Sequence, residues 1–257
     1  MIEKFSVDHL SELAAYACRK NASRESGSAF CCQTEASIQR DFSETLDFGF
    51  ACREGDRLCG LLSCFPDLEK GNVDCALLAD RENYSATARQ LLSAAQAQLG
   101  NHLRYTFFFP KENEACAAFL ESIGACRREN EYRMVLRRDD WQPQEGLPAP
   151  HPLEEAGNLA AYGVLHRAED RFTAEILGVR QELRGRGFGR AILNCLAKET
   201  FCRHGAAELD LIVDADNTQA LSLYQKTGFQ ILEENRCYIS QSKIAADGSC
   251  MEKETSV

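Results

Sequence analysis

The chain has 257 residues, a formal net charge of -10 and a pI near 5.1, so it lacks the clustered Lys and Arg with which a protein neutralises nucleic-acid phosphates. No stretch approaches the roughly 18 apolar residues of a membrane span, and Met1-Ile2-Glu3-Lys4-Phe5 has no signal-peptide core, which gives the expectation of a soluble, cytoplasmic protein. The 13 cysteines are odd in number, irregularly spaced and never arranged Cys-x-x-Cys, so neither a disulfide framework nor a zinc site is expected.

Taken from the N-terminus, Val7 to Cys18 and Thr34 to Phe42 carry apolar residues at helical spacing. The adjacent Cys31-Cys32 reads as ordinary thiols rather than a reactive pair, and Cys52, Cys59 and Cys64 sit among strand residues as small hydrophobes. Gly55-Asp56 leading to Gly60-Leu61-Leu62 has the form of a hairpin. A strand presenting Tyr105, Phe107 and Phe109 on one face is followed by a helix between Asn113 and Gly124, and Tyr132 to Leu136 forms another strand, suited to being shared between two halves. Four of the six prolines then fall between Pro143 and Pro152, marking 141–152 as a stiff connector.

Beyond the connector, Gly157-Asn158 leads to Gly163-Val164-Leu165, and Ala174 to Val179 is a short buried strand. Arg184-Gly185-Arg186-Gly187-Phe188-Gly189-Arg190 separates that strand from a helix bearing Ala191, Ile192, Leu193, Leu196 and Ala197. Glycines there allow positive φ and close approach of a ligand to the amides, and the helix N-terminus biases that ligand toward an anion. A Walker loop is excluded because Gly189-Arg190-Ala191 offers no magnesium-binding hydroxyl, and Gly185-x-Gly187-x-Gly189 has the wrong spacing for a dinucleotide fold. Glu208 to Val213 alternates as a strand, and a helix follows with Asn217 as N-cap and Gly228 as C′ residue. The stretch 241–257 is polar and reads as a flexible tail.

The two halves echo each other. Asn113 and Asn217, Gly124 and Gly228, and the strand residues Tyr105, Phe107, Phe109 against Leu209, Leu211, Val213 all keep one offset of 104 positions. The hairpin at Gly55 matches Gly157-Asn158 in outline. At the turn position, however, the first copy reads Asp80-Arg81-Glu82-Asn83-Tyr84-Ser85, without glycine and with added carboxylates, and Leu120 stands where the second copy has Tyr224.

Arg184-x-x-Gly187-x-Gly189 and Asn217-x-x-Ala220-x-x-x-Tyr224-x-x-x-Gly228-Phe229 together resemble the two motifs of the GCN5-related N-acetyltransferase (GNAT) family, over roughly residues 155 to 240. The resemblance implies an α/β protein of two tandem GNAT-like mixed-sheet domains with flanking helices. These are a degenerate 1–140 without a cofactor turn, the 141–152 linker, a catalytic 153–240 and the 241–257 tail. It implies acetyl-CoA as acyl donor, no metal, and transfer to a primary amine of a small molecule or peptide by direct attack in a ternary complex. The pyrophosphate would rest on Arg184, Gly185, Arg186, Gly187, Phe188, Gly189 and Arg190, with Asn217 nearby. The pantetheine would pair with the backbone of Leu177, Gly178 and Val179 on a bulged strand. Tyr224 would protonate the leaving thiolate. Glu175 is the candidate base, sharing the face of Val179 if the strand is regular, although many members place the base two residues upstream, where this chain has Thr173. His166 and His204 read as surface residues. The second half has no room for the usual first strand and helices, so the first half is expected to supply an acceptor pocket at the interface of the repeats. A monomer or homodimer is expected, with neither nucleic acid nor membrane as partner. The alternatives are a non-catalytic acyl-CoA-binding sensor or regulatory module and, third, an interaction domain with no ligand, which would leave three arginines crowded at one helix N-terminus.

Overall fold

The computed structural model describes residues 1–29, 34–147, 161–168 and 171–240. Cys31-Cys32, the connector beyond residue 147, Gly157-Asn158 and the tail 241–257 lie outside them. By contact, the chain divides into a first unit, Met1–Arg128 together with 235–257, and a second, Glu129–Glu234.

The first unit runs β1 (Ile2–Lys4), α1 (Leu10–Asn21), α2 (Glu35–Glu44), β2 (Gly49–Glu54), β3 (Arg57–Asp67), β4 (Asn72–Ala79), α3 (Tyr84–Leu99), β5 (Arg104–Pro110), α4 (Glu114–Ser122) and β6 (Cys126–Arg127). Strands β1 to β4 pair as antiparallel neighbours, and β4 pairs β5 in parallel. Gly55, at φ 60°, and Asp56 make the two-residue turn between Glu54 and Arg57 that the Gly-Asp dipeptide implied. Alternation divides β3 between two cores. Leu61 packs with Leu13, Ile38 and Phe42 from α1 and α2, while Leu62 and Cys64 pack with Leu91, Phe107 and Phe119 on the other face.

The β4–β5 ladder ends at Cys75↔Phe107, and the chain itself takes the next position: Ala29 N–H donates to the Phe108 carbonyl at 2.9 Å. Asn113 holds this segment from the other side, its Nδ2 donating to the Gly27 carbonyl at 3.0 Å while its Oδ1 accepts from Cys116 N–H to cap α4. Before α3, the Asp80 carboxylate is met by Lys20 at 2.8 Å and the Tyr16 hydroxyl at 3.1 Å, and Arg81 meets Glu25 at 2.8 Å. Asp80 and Arg81 of this turn are therefore paired with side chains.

The second unit contains β7 (Glu131–Arg137), β8 (Ala161–Ala168), β9 (Arg171–Val179), α5 (Phe188–Lys198), β10 (Glu208–Asp214) and α6 (Thr218–Lys226). β7 lies antiparallel to β10 from Glu208↔Arg137 to Asp214↔Glu131, and β8 pairs β9 antiparallel. Met134, Leu136, Phe172, Ala174, Leu209, Leu211 and Val213 point to one face, where Leu193, Ala197 and Tyr224 of the two helices close the core. The last strand, β11 (Gln230–Ser240), returns to the first unit, where Asn235↔Pro110 through Ser240↔Tyr105 pair it with β5. The first unit thus contains a strand segment drawn from the far part of the sequence, while the second is one continuous stretch.

Candidate active site

In the second unit, β9 and β10 run parallel, and among the described residues their single ladder pair is Asp210↔Thr173. Past that pair the strands part, leaving main-chain N–H and C=O groups of β9 along an open edge that needs hydrogen-bond partners. The split is pinned on the face opposite the helices. Asp210, only 4% exposed, accepts the Thr173 hydroxyl on Oδ1 at 2.9 Å and meets Arg171 at 2.6 Å and Arg133 at 3.2 Å through Oδ2. Arg133 also reaches Glu233 at 2.9 Å. Burial works against the charge of Arg133, but Glu233 and Asp210 more than offset it and raise its pKa.

A β-bulge lies just beyond the pin. Val164 and Leu165 of β8 oppose Ile176 and Ala174, so Glu175 is the extra residue of β9. The bulge reverses the parity expected of a regular strand. Ala174 before it and Leu177 and Val179 after it face the helix side, whereas Glu175 turns to the opposite face, 3.5 Å from His166 Nδ1. Glu175 therefore does not share the face of Val179.

From Val179 the chain enters the glycine turn. Gly185 has φ 78° and Gly187 φ 88°, both in the left-handed region that L side chains avoid, and Gly187 serves as N-cap of α5 without a side chain to cover the first-turn amides. Arg184 Nε donates to the Val179 carbonyl at 3.2 Å, which ties the turn to the end of β9. Arg190 has no ion-pair partner among the described residues.

A cavity of about 510 Å³ opens at this helix end and runs along α6. It is lined by Leu177, Val179, Arg184, Gly185, Gly187, Phe188, Gly189 and Arg190 on one side and by Asn217, Ala220, Leu223 and Tyr224 on the other. Gly178 and Arg186 do not line it. A Cβ on Gly178 would stand 2.3 Å from the Tyr162 ring, so the absence of a side chain there lets that ring lie across β9. Helix α6 is capped as its sequence implies. Asn217 Oδ1 accepts from Ala220 N–H at 3.1 Å, and Gly228 at φ 97° ends the helix with bonds from Gly228 N–H to the Gln225 carbonyl and from Phe229 N–H to the Tyr224 carbonyl. Tyr224 is 9% exposed, with its ring against Phe229, and burial raises the pKa of its phenol above the ordinary value.

Glycine spacing and helix periodicity in the sequence find the turn, Asn217 and Tyr224. They miss Asp210 with its two arginines and the proximity of His166 to Glu175, because these partners lie on different strands and meet only through register. Among the described residues no three His, Cys, Asp or Glu side chains form a metal-binding group, and no helix is long and apolar enough to cross a membrane.

Residues 116–229 match the model of the Acetyltransferase (GNAT) family. The chain is 33% identical over 98 residues to a mycothiol acetyltransferase of Jonesia denitrificans, covering 37% of this chain and 31% of that protein. It is 27% identical over 117 residues to a mycothiol acetyltransferase of Corynebacterium glutamicum, covering 38% and 40%. The match thus spans well under half the length of these curated relatives. Among solved structures, a GCN5-related N-acetyltransferase from Sphaerobacter thermophilus superposes with a TM-score of 0.76 at 12% identity, covering 93% of this chain and 95% of that one. A tandem GNAT protein from the clavulanic acid biosynthesis pathway gives 0.71 at 15% identity, covering 95% and 99%. These likenesses show the fold, and the match to the GNAT family model covers residues 116–229, under half of the chain.

Proposed function

We propose that this chain is an N-acetyltransferase of the GNAT family that moves an acetyl group from acetyl-CoA to a primary amine of a small molecule or peptide, within its second unit. The observation that carries the reading is the uncapped N-terminus of α5, with Gly185 and Gly187 at positive φ, opening into a cavity whose far wall holds Tyr224. The turn amides and the arginines suit a pyrophosphate, because the helix end is positive and no side chain caps it. The parted edge of β9 suits the pantetheine amides.

Asn217 has a precedent within the chain. At the matching position of the first unit, Asn113 caps its helix through Oδ1 and uses Nδ2 to hold a peptide carbonyl, that of Gly27. Asn217 makes the same cap, which leaves its Nδ2 for a carbonyl of the donor. The first unit has filled its own notch with Gly27 to Ala29, which supports a single donor site.

Acetyl-CoA would supply an activated acyl carbon and a thiolate leaving group. Tyr224, kept protonated by burial, is placed to donate its proton to that thiolate. A simple alkylamine has a pKa near ~10.4, so only on the order of one molecule in a thousand is a free base at neutral pH, and the nitrogen of that fraction must still shed a proton as the amide forms, for which a proton acceptor on the enzyme is needed. A screen of amines with acetyl-CoA, read by thiol release, tests the reading. Turnover of at least one amine is expected, and acetyl-CoA binding without turnover would favour the sensor alternative.

A further inference from the structure

Resting on the acetyl-transfer reading, we propose that His166, oriented by Glu175, is the base that takes the proton of the acceptor amine, on the sheet face opposite the helices. Leu177, Val179 and Tyr224 line the cavity on the helix side of the slit between β9 and β10. An amine approaching the same slit from the other face meets the residues that alternate with them. Two of those are already engaged. Thr173 donates its hydroxyl to Asp210, and Asp210 carries that bond on one oxygen and two guanidinium groups on the other, so neither is free to accept a proton.

The next group on that face is His166. It is the β8 partner of Thr173 in the ladder, so its imidazole stands one strand away from the point where the slit begins. The bulge is what brings Glu175 to it. A regular strand would turn this carboxylate to the cavity side with Leu177, but the extra residue sends it to the opposite face, 3.5 Å from Nδ1. Both side chains are about half exposed, at 53% and 46%, and so are within reach of a solute. With Nδ1–H directed at the carboxylate, Nε2 carries the lone pair, the arrangement in which an imidazole works as a base. Of the other charged groups on this face, Arg171 of β9, Arg133 of β7 and Asp210 of β10 are paired with one another and with Glu233, Arg137 of β7 is paired with Glu208 of β10, and Glu131 and Asp214 oppose each other at the far end of the β7–β10 ladder, so Glu175 is the group beside the imidazole that balances it.

The step balances as follows. The amine arrives neutral, having lost one proton to solvent. As its nitrogen bonds to the thioester carbon, Nε2 takes the second proton. The C–S electron pair passes to sulfur, which takes the proton of Tyr224. Proton exchange with solvent returns the imidazolium to imidazole and the phenolate to phenol, leaving the amide and the free thiol.

The test uses the full chain, His166→Gln and Glu175→Gln, with acetyl-CoA affinity from calorimetry and thiol release measured against pH with the fastest amine of the screen. His166→Gln should keep acetyl-CoA affinity within about twofold, lower kcat/KM for the amine about 100-fold, and leave in the pH profile only the rise that the amine's own ionisation imposes. Glu175→Gln should lower kcat about 10-fold while the KM for the amine and the affinity for acetyl-CoA stay unchanged, because the imidazole loses the partner that orients it. An unchanged rate and pH profile in His166→Gln overturns the base and leaves acetyl transfer standing. A wild-type protein that does not bind acetyl-CoA, or binds it and acetylates no amine, overturns the underlying reading as well.

Discussion

Thr173 and Asp210 face each other at the single ladder pair described between β9 and β10, and the hydroxyl of the first donates to the carboxylate of the second at 2.9 Å. Past this pair, toward Val179, the two strands part and form the walls of a slit. Asp210→Ala would leave Arg133 and Arg171 without their shared carboxylate. Because Arg171 is partly exposed, the expected loss is roughly 2–3 kcal/mol, at the low end for a broken buried pair. Urea denaturation measures it, and Thr173→Val should cost about 1 kcal/mol.

Gly187→Asp places a side chain and a negative charge at a position with φ 88° on the rim of the cavity. Acetyl-CoA affinity by calorimetry should fall more than about 10-fold, from strain and from repulsion of the pyrophosphate. Unchanged affinity would remove the donor from this turn.

On the proposed role of Tyr224 as proton donor, Tyr224→Phe should lower kcat about 100-fold while acetyl-CoA affinity stays within about twofold. Burial raises the phenol pKa in the folded state, so its stabilising contribution is complete below the ordinary phenol value of 10.0 and is lost as the pH rises through the higher folded value. Tyr16 and Tyr84 are shifted in the same direction, also by burial first. Melting temperature should therefore be flat with respect to these groups near neutrality and fall on the alkaline side of 10.0.

The matched asparagines separate folding from binding. Asn113→Ala removes a cap and the partner of a buried carbonyl, and should cost about 2–3 kcal/mol. Asn217→Ala removes a cap alone, about 1 kcal/mol, but should weaken acetyl-CoA binding, which Asn113→Ala leaves intact if the protein remains folded. Paired denaturation and calorimetry on the two variants decide the point.

Thiol chemistry gives an independent check on the cores. Burial pushes the Cys116 thiol up to about 12 and the Cys59 thiol to about 11, and Cys64 and Cys75 are almost wholly enclosed. Cys202 is exposed. Native alkylation at mildly alkaline pH, read by peptide mass spectrometry, should label Cys202 and spare Cys59, Cys64, Cys75 and Cys116.

Residues that act through local backbone geometry were legible in the sequence. Gly55, Gly187, Gly228, Asn113 and Asn217 each do what their turn or cap chemistry implies, because that chemistry is set within four or five residues. Glu175 shows the limit. Its parity depends on one extra residue against a neighbouring strand, and alternation in a single strand carries no record of where a bulge falls. Asp210 shows another: its strand position is legible, but Arg133, Arg171 and Thr173 come from two other strands. The internal offset of 104 positions carried the correspondence between Asn113 and Asn217, though not the fact that Gly27 occupies the hand of the first.

The traffic of strands has a consequence for synthesis. Tyr105 to Pro110 acquire their antiparallel neighbour from residues 235–240, so the edge of the first sheet stays open while more than a hundred further residues leave the ribosome. Such a chain should complete its N-terminal half last rather than first, and a nascent polypeptide stalled before Asn235 would present a bare β5 edge to chaperones and to other chains.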